Sequence, residues 1–72
     1  MAKVDVRAEV ASSVWVHTSA VGQVVSAGAQ LLVLECMKME IPVESPCAGT
    51  VTWLAAPAST VAAGDIVATI TT

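Results

Sequence analysis

Charged and apolar residues alternate from Lys3 to Val10. Lys3, Asp5, Arg7 and Glu9 carry charge; Val4, Val6, Ala8 and Val10 are apolar. A period of two predicts a strand with one wet face and one buried face. Ser12-Ser13 interrupts the pattern, and Val14-Trp15-Val16 resumes it as a second strand. Ala20 to Gln30 is irregular, with Gly22 and Gly28 as turn points. Leu31 to Leu34 is wholly apolar and reads as a buried strand. A further strand is expected to end near Val43, before turns at Ser45-Pro46 and Gly49. Thr50 to Leu54 is then a strand. Ala55 to Ser59 is a loop, because Pro57 cannot donate to a ladder. Gly64-Asp65 turns the chain into a last strand, Ile66 to Ile70.

The pattern repeats. Val25-Ser26-Ala27-Gly28 and the residues to Leu34 match Val61-Ala62-Ala63-Gly64 and the residues to Ile70 at an offset of 36. Upstream, Val14 matches Val51 once a gap of one residue is allowed. Each copy reads strand, loop, V-x-A-G, strand. A repeated unit that cannot bury its own apolar face packs on its partner.

Between the copies lies Glu35-Cys36-Met37-Lys38-Met39-Glu40-Ile41-Pro42. Leu31, Leu34, Met37 and Ile41 recur at helical spacing, and Leu, Glu, Met and Lys are good helix formers. The same residues also fold as a hairpin with Met37-Lys38 at the tip. That arrangement sets Cys36 opposite Met39, Glu35 opposite Glu40 and Leu34 opposite Ile41. A two-residue hairpin turn needs positive φ, which Met and Lys adopt with a steric penalty. Strain of that kind is retained where it serves a function. Local physics leaves helix and hairpin both standing.

Charge makes Lys38 conspicuous. The chain has 72 residues and three Lys or Arg; after Arg7, Lys38 is the only one. Net charge is −3, which excludes a nucleic-acid partner that would require several cationic phosphate contacts. An anionic membrane surface is excluded on the same ground. Val10 to Leu34 is uncharged, but Ser, His, Thr, Gln and Gly interrupt it, so no span of ~20 apolar residues exists. Asp5, Arg7 and Glu9 near the N-terminus do not fit a signal peptide. A cytoplasmic protein follows, of one domain (residues 1–72) and monomeric in isolation. Its 56% hydrophobic content can fill a small core.

No metal spacing, acid–base pair or nucleophile constellation is present, which argues against an enzyme. Cys36 and Cys47 are expected to stay reduced. Cys47 reads as a small apolar residue, and Cys36 as partly exposed beside Lys38. His17 has no catalytic partner and reads as a surface or half-buried residue. Trp15 and Trp53 occupy similar places in the two copies and are assigned to core or rim packing.

Met37-Lys38-Met39, with Glu35 before it and Glu40-Ile41-Pro42-Val43 after it, resembles the attachment sequence of biotinyl carrier domains. Lipoyl domains, which are related, usually have Asp before the lysine and Ala after it. Cys36 departs from the family's usual Ala or Ser, and Pro57-Ala58-Ser59 from its usual Gly before a polar residue. The resemblance runs from about Val6 to Ile70 and lacks the thumb insertion of some carriers. It implies an all-β fold: a flattened barrel, or barrel-sandwich hybrid, of two antiparallel sheets with pseudo-twofold symmetry. The hairpin would stand at one end and both termini at the other. Lys38 would carry covalent biotin, attached by a biotin protein ligase. Met37 and Met39 would be read by ligase or carboxylase, with Glu35 and Glu40 assisting. Biotin carboxylase and carboxyltransferase would be the working partners, and the chain a small free-standing member. A lipoyl carrier for a 2-oxo acid dehydrogenase complex and an unmodified interaction module are the alternatives.

Overall fold

A computed structural model describes residues 2–72. Eight strands run in chain order: β1 Lys3–Arg7, β2 Ser12–His17, β3 Val24–Val25, β4 Gln30–Cys36, β5 Met39–Glu44, β6 Gly49–Leu54, β7 Thr60–Val61 and β8 Ile66–Thr71. They form two four-stranded antiparallel sheets. One has the order β1-β8-β6-β3, the other β5-β4-β2-β7. The all-β expectation holds, and the Glu35–Pro42 stretch is the hairpin rather than the helix.

The core lies between the sheets. Leu31, Leu32 and Leu34 of β4 and Val67, Ala68 and Ile70 of β8 are fully buried at its centre, with Val14 and Val51 from the flanking strands. β4 and β8 are inner strands of their sheets, as β2 and β6 are, and they hold the longest buried runs, Leu31–Leu34 and Val67–Ile70. Outer strands β1 and β5 keep the alternation, with Val4, Val6, Ile41 and Val43 leaning on the core between exposed neighbours.

The repeat in sequence is a repeat in structure. Val14 pairs with Leu34 as Val51 pairs with Ile70. Val4 pairs with Ile70 as Ile41 pairs with Leu34. Both copies carry a bulge at the same place, between Val14 and Val16 and between Val51 and Trp53. Loop hydrogen bonds recur too. The Gly22 N–H donates to the Val51 carbonyl at 2.7 Å, and the Ala58 N–H to the Val14 carbonyl at 2.8 Å. Strands β1–β4 thus correspond to β5–β8. At the end opposite the hairpin, the Thr72 N–H donates to the Ala2 carbonyl at 2.9 Å, in the place that Cys36 and Met39 hold in the other copy. The molecule is elongated, 35 × 19 × 18 Å.

The structure corrects several boundaries. β1 ends at Arg7, not Val10: a bulge falls between Val6 and Arg7, Ala8 turns into the core, and Val10 is exposed. Ser12-Ser13 does not interrupt a strand but begins β2, pairing with Val61 and Thr60. Ser12 is buried, and its hydroxyl is satisfied by the Val10 carbonyl at 3.1 Å. β5 runs one residue further, to Glu44, and accommodates Pro42 because it is an edge strand. The Ala20–Gln30 segment contains β3, and Thr60–Val61 forms β7. Strands of two residues are too short to alternate. Ala58 has φ of 67°, where the corresponding Gly22 has 93°. The departure at Pro57-Ala58-Ser59 therefore keeps the turn, with an alanine held in the left-handed region.

Gly49 is not a turn residue. It opens β6, and a Cβ there would lie 2.6 Å from the Ile70 Cγ2 and 2.7 Å from the Thr71 carbonyl oxygen. Backbone cannot yield as a side-chain end can. Gly49→Ala is expected to destabilise the protein by about 1–3 kcal/mol, as overpacking does, measured by urea unfolding. An unchanged midpoint would mean that β6 and β8 separate there without loss.

Candidate attachment site

β4 and the edge strand β5 form a hairpin on one side of their sheet. Leu34 pairs with Ile41, Glu35 with Glu40 and Cys36 with Met39, the register that folding about Met37-Lys38 requires. Leu34 anchors the hairpin in the core, while Glu35, Met37, Lys38, Met39 and Glu40 are all exposed. Cys36 is half-buried and unpaired in any disulfide, as is Cys47, which packs against the core.

Met37 and Lys38 have φ of 51° and 65°. Positive φ at both central residues is the geometry of a type I′ turn, whose twist matches the strands it joins. Non-glycine residues pay about 1 kcal/mol or more each for it. The turn is kept by the β4–β5 ladder and not by its own residues. A Met37→Gly variant, which removes that penalty, is expected to gain about 0.5–1 kcal/mol. A rise in thermal midpoint of a few degrees is the readout; a fall would show that Met37 contributes packing that its exposure conceals.

That exposure is 91% for Met37 and 64% for Met39. Neither fills the core of the isolated chain. Lys38 makes no hydrogen bond or ion pair among the described residues; the one ion pair there joins Arg7 to Asp5 at 4.0 Å. The result is a single amine, on a preset turn, at the end of an elongated body.

Other residues fall away from this end. His17 is half-buried, and its Nε2–H donates to the Ala55 carbonyl at 2.6 Å, a structural role. Of core or rim, Trp15 and Trp53 take the rim: they are 52% and 46% exposed. They do not correspond. Trp15 is the extra residue of the β2 bulge and matches Thr52, while Trp53 matches Val16. The gap of one residue between the copies was the signal in the sequence, since it puts Trp15 one place out of step. Among the described residues, no group of His, Cys, Asp and Glu is placed to hold a metal ion, and no helix is long and apolar enough to cross a membrane.

Fold and tip define a class: a small two-sheet β domain with one exposed lysine on a projecting turn. Comparison with known proteins narrows it. A family model described as biotin-requiring enzyme, covering biotin and lipoyl attachment, matches residues 4–70. A curated relative, a biotinylated protein TB7.3 homolog of Mycobacterium leprae, is 42% identical over 67 residues, 92% of this chain and 94% of its own length. The urea carboxylase of Kluyveromyces lactis superposes with a TM-score of 0.92 at 30% identity, over 99% of this chain and 6% of its own. A single-chain, multi-domain long-chain acyl-CoA carboxylase does so with a TM-score of 0.85 at 34% identity, over 96% of this chain and 7% of its own. The chain belongs to the biotin/lipoyl attachment family.

Proposed function

We propose that Lys38 is biotinylated and that the chain is a biotin carrier of a biotin-dependent carboxylase. One observation carries the reading: Lys38 stands exposed, at positive φ, between two exposed methionines at the tip of the projecting hairpin. The relatives support biotin over lipoate. One is described as biotinylated, and two carboxylases contain a piece of this shape.

Lys38 fits the group. Its amine is accessible from the end of the molecule and, among the described residues, tied to no carboxylate or carbonyl. Attachment forms an amide: the lysine nitrogen attacks the carbonyl carbon of biotinyl adenylate, AMP leaves, and the nitrogen loses a proton. No histidine adjoins Lys38, so the base that takes the proton belongs to the ligase. Met37 and Met39 flank the acceptor with exposed, polarizable side chains for the ligase or the carboxylase to read. When bound, biotin carries a carboxyl group from a biotin carboxylase to a carboxyltransferase. The chain itself does no chemistry. Its rigid two-sheet body and strained turn hold the tether clear, and tethering raises the local concentration at both sites. Work in the cytoplasm would keep Cys36 and Cys47 reduced.

Incubation with a biotin protein ligase, ATP and biotin, followed by intact mass, tests the reading. One biotin per chain is expected. Acceptance of lipoate from a lipoate ligase, with biotin refused, would move the chain to the lipoyl branch of the family.

A further inference from the structure

The sulfur of this chain is gathered at the tip. Its sulfur-bearing side chains are Met1, Cys36, Met37, Met39 and Cys47, and three of them fall within four consecutive positions around Lys38. Met1 lies outside the described residues. Cys36 and Cys47 are half-buried, whereas Met37 is 91% and Met39 64% exposed. Oxidation of sulfur follows access to solvent. Among the described residues, the two thioethers beside Lys38 are therefore the sulfurs most open to attack.

Packing does not require methionine here, because neither side chain belongs to the core cluster. The turn does not require it at position 37, where φ of 51° would suit glycine better. Oxidation at these two positions thus leaves the two-sheet body intact. What it changes is the surface on either side of the acceptor. Met37 precedes Lys38 and Met39 follows it, so an enzyme that delivers an acyl group to the amine meets both. A thioether is apolar and polarizable. A sulfoxide is polar and chiral, with an oxygen that accepts hydrogen bonds and resists desolvation.

We propose that Met37 and Met39 form a redox-sensitive modification site that gates the attachment lysine. The oxidant is a peroxide, hydrogen peroxide in the simplest case. Each thioether sulfur attacks a peroxide oxygen, the O–O bond breaks, a sulfur–oxygen bond forms and water leaves. Sulfur loses two electrons and the peroxide gains them. The sulfoxides hinder transfer of biotin to Lys38. Methionine sulfoxide reductases reverse the step: a thiol pair becomes a disulfide and the oxygen leaves as water. Met37, the more exposed, oxidises first. The inference rests on the biotin-acceptor reading above.

Biotinylation rates of the unmodified chain test it, before and after hydrogen peroxide is added and then destroyed with catalase. Peptide mass spectrometry assigns the added oxygens, and thermal melting checks the fold. Oxidation of Met37 and Met39 is expected to lower kcat/KM roughly tenfold or more, with the thermal midpoint moved by less than about 2 °C. The two methionine sulfoxide reductases, one for each epimer, should restore the rate to within about twofold when supplied with dithiothreitol. Dithiothreitol alone, which rescues cysteine sulfenic acid, should not. A Met37→Leu/Met39→Leu protein keeps Met1 and both cysteines, and its own rate should change by less than about twofold on the same treatment. An unchanged rate in parent protein oxidised at both positions would overturn the inference, as would a loss that the double variant shares. If the untreated parent accepts no biotin, the acceptor reading falls and the inference with it.

Discussion

A Lys38→Arg variant is expected to take up no biotin and to melt where the parent melts. A guanidinium keeps its proton throughout the accessible pH range and is no acyl acceptor, so the substitution removes the reaction and keeps the charge. The fold has no stake in the exchange. Lys38 is exposed, makes no hydrogen bond or ion pair among the described residues, and sits at φ 65°, where arginine meets the same steric penalty as lysine. Lys3 cannot take over. It lies in β1, paired with Thr71 at the far end of the molecule, with no projecting turn around it. Intact mass after the ligase reaction, with a thermal melt beside it, reads both halves. Biotin on the variant would move the acceptor away from the tip.

Leu34→Ala is expected to be the most damaging single truncation near the site. Leu34 is almost fully buried and is paired on both sides, with Val14 and with Ile41. It joins the hairpin's base to the core. Removing its isobutyl group leaves a cavity bordered by strands from both sheets, at a cost of about 2–5 kcal/mol. A domain of this size has roughly 4–10 kcal/mol in total. The thermal midpoint should therefore fall by about 10–25 °C. Biotinylation should suffer as well, since a hairpin without its anchor cannot hold positive φ at Met37 and Lys38. A fall under about 5 °C would mean that the core closes around the gap and that the hairpin is held from elsewhere.

The sequence carried the architecture because its two copies share one pattern. The V-x-A-G segments and the apolar runs that follow them became β4 and β8, the buried inner strands. The Glu35–Pro42 stretch was ambiguous locally, because Met, Lys and Glu favour helix while the ladder on either side imposes a hairpin. Long-range pairing of β4 with β2 settled that competition, and no local signal contains it. β3 and β7 were illegible for a related reason: two residues hold a strand only because β6 and β2 are already beside them. Gly49 looked like a turn because glycine usually marks one; here the need is room beside Ile70. The one-place offset between Trp15 and Trp53 was hidden because a bulge, invisible in the alternation, makes Trp15 an extra residue of β2. Lys38 was legible through charge, as the single Lys or Arg beyond Arg7, and through the resemblance carried by Met37 and Met39 on either side of it.

The central claim is that Lys38 is the point of attachment. Tandem mass spectrometry of the protein isolated from its own cells tests it most directly. The account predicts biotin in amide linkage on the peptide containing Met37-Lys38-Met39, and on no other peptide. An unmodified Lys38 in cells replete with biotin, or biotin found on Lys3, would contradict it.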